Sequence, residues 1–233
     1  MALVPRRRLK QPVVAYTFHW NTVLENKHAF LLGAWLDVWI TVISFVLACV
    51  LGMAVALLRT SGLRLFRWPA FAYVQLVRGV PLLVFLYWVY FGVAVVLGVA
   101  FTGVQAAIIA LTLTGSAYTA EIFRAALGGV DSGQAEAATA LGFARRSTFR
   151  FVVFPQAIRI ALPPLGNTFV GLLKGATLIS AIGVADMVFV AQQINLSYFT
   201  PFEPFTAVGL ILIVLVAAFS LIVTAVERVL QLP

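Results

Sequence analysis

The sequence predicts an all-α integral membrane protein with about five transmembrane helices and a short helix between the third and the fourth. Of its 233 residues, 62% are apolar and only 10% are charged, whereas soluble domains carry roughly 25% charged residues. Long uncharged runs account for the apolar excess, because about 20 apolar residues cross the roughly 30 Å hydrocarbon core of a bilayer. A soluble globular domain is therefore excluded. The net charge of +8 is better explained by membrane topology than by nucleic-acid binding.

Runs without charged residues predict where the five helices lie. The spans are expected at approximately 33–58, 70–98, 103–125, 157–183 and 205–228. The segment 79–120 contains no Asp, Glu, Lys, Arg or His and is long enough for two helices, which Gly98 and Gly103 separate. Lys174 interrupts the fourth span. We interpret residues 1–30 as a leader that is interfacial around 13–24, and residues 31–230 as one transmembrane domain with a cytoplasmic loop at about 128–155.

Basic residues predict the orientation of the chain. Positive side chains are retained on the cytoplasmic side, and they occupy two connections, at Arg59, Arg64 and Arg67 after the first span and at Arg124, Arg145, Arg146, Arg150 and Arg159 after the third. With five spans, the amino terminus is then outside and the carboxyl terminus inside. The basic cluster of Arg6, Arg7, Arg8 and Lys10 conflicts with this orientation.

A polar segment after the third span predicts a capped cytoplasmic helix. Asp131 can cap its start with Gln134 reaching back, the stretch 135–141 consists of good helix formers, and Gly142 suits a left-handed stop. On the simplest interpretation, alanine favours the helix and Glu136 solvates it.

The same segment resembles a family signature. Glu136-Ala137-Ala138, Gly142 after three residues and Val152-Val153-Phe154-Pro155 after nine more resemble the E-A-A, G, I-x-L-P pattern of permease subunits of bacterial ATP-binding-cassette (ABC) importers. Val152 replaces Ile and Phe154 replaces Leu. Four further segments resemble the polar amino-acid uptake subfamily, at 78–83, 117–125, 155–167 and 191–193. The resemblance covers Phe18 to Arg228.

The resemblance implies a transport mechanism and its partners. Two permease subunits, identical or related, would form the pore for amino acids or related polar small molecules in the bacterial inner membrane. The short helix of each would insert into a cytoplasmic ABC ATPase, and a substrate-binding protein would dock on the outer connections, including 186–203. The coupling residues would be Glu136, Ala137, Ala138, Gly142 and Pro155.

We expect this chain to be a transport subunit and not an enzyme. The sequence contains no G-x-x-x-x-G-K-[ST] phosphate loop, so ATP and Mg²⁺ are expected on the partner ATPase. No cofactor, metal site or catalytic residue is predicted for this chain, and no nucleic-acid partner.

Charged and polar residues within the spans are candidates for the substrate path. Charged groups at membrane depth are costly and therefore suggest a function, and uncharged polar groups can line a path for a polar substrate. The candidates are Arg78, Tyr118, Glu121, Asn167, Thr168 and Lys174. Glu121 can pair with Arg124 or Arg78, or it can receive a substrate ammonium while Arg78 or Lys174 receives the carboxylate. For the uncharged members, hydrogen bonds between helices are the alternative. Lys174-Gly-Ala-Thr-Leu178 stands where the family commonly has K-D-T-S-L, and the missing acid favours substrates other than dibasic amino acids.

Three other functions fit the sequence less well. An ion-coupled carrier would need an intramembrane acid or histidine relay and two repeated halves, but five spans do not divide evenly, and His19 and His28 both precede the first span. A membrane enzyme would need clustered histidines, cysteines or carboxylates, and the sequence shows no such cluster. A purely structural anchor would leave the capped loop helix unexplained.

Overall fold

The computed structural model describes residues 16–230, which form helices and connections without a β-strand in that range. The helices are α1 (Asn21–Glu25), α2 (Lys27–Thr60), α3 (Arg64–Gly79), α4 (Leu82–Tyr87), α5 (Ala94–Leu97), α6 (Gly103–Gly128), α7 (Ser132–Ala140), α8 (Arg145–Thr148), α9 (Phe154–Ala176), α10 (Met187–Tyr198) and α11 (Phe202–Leu230). Two π-helical turns join α4 to α5 (Trp88–Val93) and α8 to α9 (Phe149–Val153), and a 3₁₀ turn (Thr177–Ile182) follows α9. The basic cluster at residues 6–10 lies outside the described residues.

Helices α2 and α6 form the centre of the bundle. They approach closely at Gly52, where a Cβ atom would lie 2.0 Å from Thr119 Oγ1 and 2.9 Å from the backbone of Ser116 and Ala120. Thr119 Oγ1 donates a hydrogen bond to the Ala48 carbonyl across this contact, at 2.7 Å. Small residues at helix interfaces allow such contacts in membranes, where dispersion and hydrogen bonds drive association. Helices α3 and α9 pack around this pair.

The structure divides the second predicted span. Instead of one helix over 70–98, α3 ends at Gly79, and α4 and α5 continue after a bend of 106°. Pro81 explains the break, because a proline disfavours helical backbone at the residue before it, and Val80 is extended, with φ −100° and ψ 129°. Four helical segments are long and apolar enough to cross a membrane, Lys27–Thr60, Gly103–Gly128, Arg145–Ile182 and Phe202–Val226, and the bent pair brings the number to as many as five.

The other spans occur close to their predicted positions. The ranges 33–58, 103–125 and 205–228 lie inside α2, α6 and α11. The fourth span begins earlier than predicted because α8, the π turn and α9 run on without a break. The described part of the predicted leader contacts α11. Tyr16 Oη and the His19 backbone N–H each donate a hydrogen bond to the Glu203 carboxylate at 2.5 Å.

The predicted connection between 183 and 204 contains a helix, α10, that sequence reasoning missed. Asp186 Oδ1 accepts from the Phe189 backbone N–H at 2.6 Å and caps its start. Gly33 lets α2 approach this end closely, since a Cβ there would lie 2.5 Å from the Met187 nitrogen. At 12 residues, α10 is too short to register as a span.

Candidate functional site

Helix α7 has the caps that the sequence predicted at both ends. Asp131 Oδ1 accepts from the Gly133 backbone N–H at 2.7 Å. Gly142 is left-handed, with φ +82°, and its N–H donates to the Thr139 carbonyl at 2.9 Å, while Phe143 N–H donates to the Ala138 carbonyl at 3.0 Å. These two bonds form a Schellman motif. The helix therefore ends at a defined point on both sides.

One detail of the predicted cap differs. Gln134 does not reach back to complete a capping box, because its Oε1 accepts from Gln156 Nε2 at 3.3 Å. The contact ties α7 to the first turn of α9. Pro155 occupies that same turn, directly after the π turn of Phe149–Val153.

The outward side of α7 is small and apolar around one carboxylate. Ala138 faces inward at 4% exposure, whereas Glu136, Ala137 and Ala140 are exposed. Leu141, next to them, is 79% exposed. We call Glu136, Ala137, Ala140 and Leu141 the α7 face. Exposed apolar surface outside the spans is typical of a protein-binding site, and the sequence pattern indicated Leu141 only as a helix former.

Five of the six predicted path residues line two adjoining clefts that share Tyr118, together called the central groove. One cleft, of about 320 Å³, includes Arg78, Tyr118 and Glu121. The other, of about 400 Å³, includes Tyr118, Asn167 and Thr168. The Arg78 guanidinium carbon lies 5.1 Å from the centroid of the Tyr118 ring. Lys174 is exposed in the last turn of α9 and lines neither cleft.

Glu121 is held by two arginines. It accepts from Arg124 Nε at 3.0 Å and from Arg124 Nη2 at 2.5 Å, as the spacing of three residues on one helix allows. It also accepts from Arg59 Nη1 of α2, a residue that the sequence marked only for topology. Both carboxylate oxygens of Glu121 are paired with Arg59 and Arg124, so Arg78 is the charged side chain of the central groove that makes no ion pair among the described residues.

Two buried carboxylates lie where α2 meets α10. Asp37 and Asp186 are fully buried, and both Asp37 oxygens and Asp186 Oδ2 have no hydrogen-bond partner among the described residues. Burial raises the pKa of Asp186 to about 6. The pair is distant in sequence, so nothing in the pattern around either residue predicted it.

Comparison with known protein families identifies the chain. Residues 28–231 match the family model described as binding-protein-dependent transport system inner membrane component. The chain belongs to this family. It is a permease subunit of an ABC importer, an inner-membrane component whose partner ATPase hydrolyses ATP.

Individual relatives and a solved structure agree with that assignment. The permease is 39% identical over 180 residues to the probable amino-acid ABC transporter permease protein YckA of Bacillus subtilis, covering 77% of this chain and 79% of YckA. It is 36% identical over 192 residues to the arginine transport system permease protein ArtQ of the same species, covering 82% and 88%. A crystal structure of an amino acid ABC transporter with histidines has 33% identity and a TM-score of 0.85, over 91% of this permease and 99% of that chain.

Proposed function

We propose that this permease carries amino acids or related polar small molecules through the central groove. The observation that supports this most directly is the placement of Arg78, Asn167 and Thr168 along one groove around Tyr118. A guanidinium binds a carboxylate in two-pronged geometry, so Arg78 would receive the substrate carboxylate. The amide and hydroxyl of Asn167 and Thr168 would hydrogen-bond the amino group or a polar side chain.

The charges of the central groove favour a neutral amino acid over a dibasic one. Glu121, the carboxylate that lines it, is already paired with Arg59 and Arg124. A second substrate cation would therefore meet no free carboxylate among the described lining residues, and it would lie near Arg78. The relative ArtQ is named for arginine, so uptake must be compared for both substrate classes.

Uptake by reconstituted vesicles tests the groove. The vesicles contain the permease with its ATPase and binding protein, and ATP-driven uptake of radiolabelled glutamine and arginine is measured. We expect Arg78→Gln to lower uptake at least tenfold, because a charge-assisted bond to a carboxylate contributes about 1.5–3 kcal/mol. The control is Arg228→Gln, which removes an exposed arginine near the end of α11. Equal uptake by Arg78→Gln and Arg228→Gln would mean that the substrate does not bind at Arg78. Higher uptake of arginine than of glutamine would show that the groove does not favour neutral amino acids.

We propose that the α7 face docks on the partner ATPase and transmits its movement. A helix capped at both ends is stiff, whereas a flexible loop would absorb the displacement. Among the predicted coupling residues, Glu136 and Ala137 would contact the ATPase directly. Ala138, Gly142 and Pro155 would act by holding the helix in place, because Ala138 is buried, Gly142 ends α7 and Pro155 starts α9.

Co-purification tests this surface. Glu136→Lys reverses the one charge on the α7 face, and we expect the ATPase to be lost from the purified complex. Glu25→Lys is the matched control, since Glu25 is an exposed carboxylate on α1. Retention of the ATPase by both variants would show that the α7 face is not the docking surface.

The remaining partners and the orientation are part of the same proposal. A second permease, identical or related, would complete the pore, and the binding protein would dock on the connections around 186–203. The amino terminus would lie outside and the carboxyl terminus inside. In a Cys49→Ala background, an impermeant maleimide should label Ser197→Cys in intact cells but Ser132→Cys only after the membrane is opened. The reverse pattern would invert the topology.

A further inference from the structure

A second groove, separate from the central groove, is lined mainly by arginines. It measures about 290 Å³ and is lined by Arg59, Arg67, Trp68, Phe71 and Arg124. We call it the arginine groove. It lies where α2 ends, α3 begins and α6 passes, and it shares no lining residue with the clefts around Tyr118.

The arginine groove carries more positive charge than the protein itself neutralises. Arg59 and Arg124 share a single carboxylate, that of Glu121, and Arg67 makes no ion pair among the described residues. The three guanidinium groups that line the groove are thus balanced by the one carboxylate that pairs with two of them. Arg59 is largely buried, with a side-chain exposure of 11%, and its guanidinium carbon lies 5.5 Å from the Phe71 ring centroid. Its position is fixed before any ligand arrives.

Aromatic side chains form the other wall. Trp68 is 63% exposed and makes an edge-to-face contact with Phe71, with centroids 6.1 Å apart. The groove lies at the end of the spanning helix α2, which stops at Thr60. Tryptophan and arginine beside the end of a span are typical of the depth of lipid headgroups. The groove therefore offers cations for a headgroup and an apolar wall for the adjoining chains.

We propose that the arginine groove binds the phosphate headgroup of an anionic phospholipid. The guanidinium groups of Arg67 and Arg124 would hold the phosphate, since guanidinium matches phosphate oxygens in two-pronged geometry. Trp68 would contact the upper part of the acyl chains. A small soluble anion would use the cations alone, whereas the exposed Trp68 beside them favours a lipid. Basic pockets between membrane helices bind anionic headgroups for the same reasons.

Tryptophan quenching in bilayers tests the proposal. The permease with its ATPase is reconstituted in phosphatidylcholine bilayers that contain a small fraction of brominated phosphatidylglycerol or, in parallel, brominated phosphatidylcholine. The part of the signal due to Trp68 is the part lost in Trp68→Phe. We expect stronger quenching of Trp68 by the brominated phosphatidylglycerol, and Arg67→Gln should lower this preference about tenfold, the effect of losing one charge-assisted hydrogen bond to the phosphate.

Arg64→Gln is the matched control, because Arg64 begins the same helix but does not line the groove. Equal losses in the two variants would indicate diffuse attraction to the membrane surface and overturn the proposal. Equal quenching by the two brominated lipids would also overturn it. Displacement of the phosphatidylglycerol signal by millimolar inorganic phosphate would show a site for a soluble anion instead of a lipid. Retention of the ATPase in each variant confirms that the complex is intact.

Discussion

Gly52→Ala should destabilise the permease by about 1–3 kcal/mol, after subtracting the roughly 1 kcal/mol by which alanine is favoured over glycine inside a helix. The added Cβ would lie 2.0 Å from Thr119 Oγ1 and 2.9 Å from both the Ala120 nitrogen and the Ser116 oxygen. Thr119 can rotate away only by giving up its 2.7 Å bond to the Ala48 carbonyl, at a cost of about 0.6 kcal/mol for a bond between membrane helices. The backbone atoms cannot rotate away, so α2 and α6 must separate, and overpacking of this kind costs about 1–3 kcal/mol.

The apparent melting temperature of the purified permease–ATPase complex in detergent measures this effect. Gly209→Ala is the control, because Gly209 lies within α11 with no atom within 4 Å of an added Cβ, and alanine there should be neutral or slightly stabilising. The double change Gly52→Ala with Thr119→Ala removes the 2.0 Å contact but keeps both backbone contacts. It should remain less stable than Thr119→Ala alone.

A Gly52→Ala variant with the same melting temperature as the wild type would refute the close approach of α2 and α6. It would also be refuted if Thr119→Ala and the double variant were equally stable, because the backbone contacts would then cost nothing. Either result would mean that the helices are farther apart than the structure shows.

Two further predictions concern α7 and α10. Gly142→Ala forces a side chain into left-handed backbone, at a cost of about 1–2 kcal/mol, so ATPase recovery on co-purification should fall. Gly62→Ala is the control, because no atom lies within 4 Å of its added Cβ, and its ATPase recovery should equal that of the wild type. Equal ATPase recovery from Gly142→Ala and Gly62→Ala would show that docking does not depend on the cap at Gly142. For Asp186, the raised pKa of about 6 means that the folded protein holds a proton that the unfolded chain loses near its ordinary value of 3.8. The contribution of Asp186 to stability should therefore be lost as pH rises from about 4 to about 6. We expect the melting temperature of the wild type minus that of Asp186→Asn to fall over this range, and a difference that does not change with pH would exclude titration of Asp186.

Features with local causes could be predicted from the sequence. The ends of α7 depend on Asp131 and Gly142, which lie within three residues of the helix that they cap, so their chemistry is visible in the chain itself. The long spans were predictable for a similar reason, because the run of apolar residues is itself the property that places a helix in lipid.

Features that depend on distant residues could not be predicted. Arg59 and Glu121 are 62 positions apart, and only the packing of α2 against α6 brings them together. The break at Pro81, by contrast, has a local cause, because proline disfavours helical backbone at Val80, but hydropathy alone does not separate one long helix from two bent ones. Helix α10 was missed because it is neither long enough to span nor polar enough to stand out.

Helix α7 is joined to both walls of the central groove, and the two connections differ in stiffness. On one side, α6 runs as one helix from Tyr118 to Gly128, about 15 Å at 1.5 Å per residue, and only 129–131 separate it from α7. On the other side, the Gln134–Gln156 bond reaches α9, where Pro163 and Pro164 lie inside the helix before Asn167. Prolines remove helical hydrogen bonds and allow bending, so displacement of α7 should move α6 as a rod while α9 flexes. Because Tyr118 and Asn167 line the same cleft from these two helices, unequal movement of the two walls changes the width of the groove.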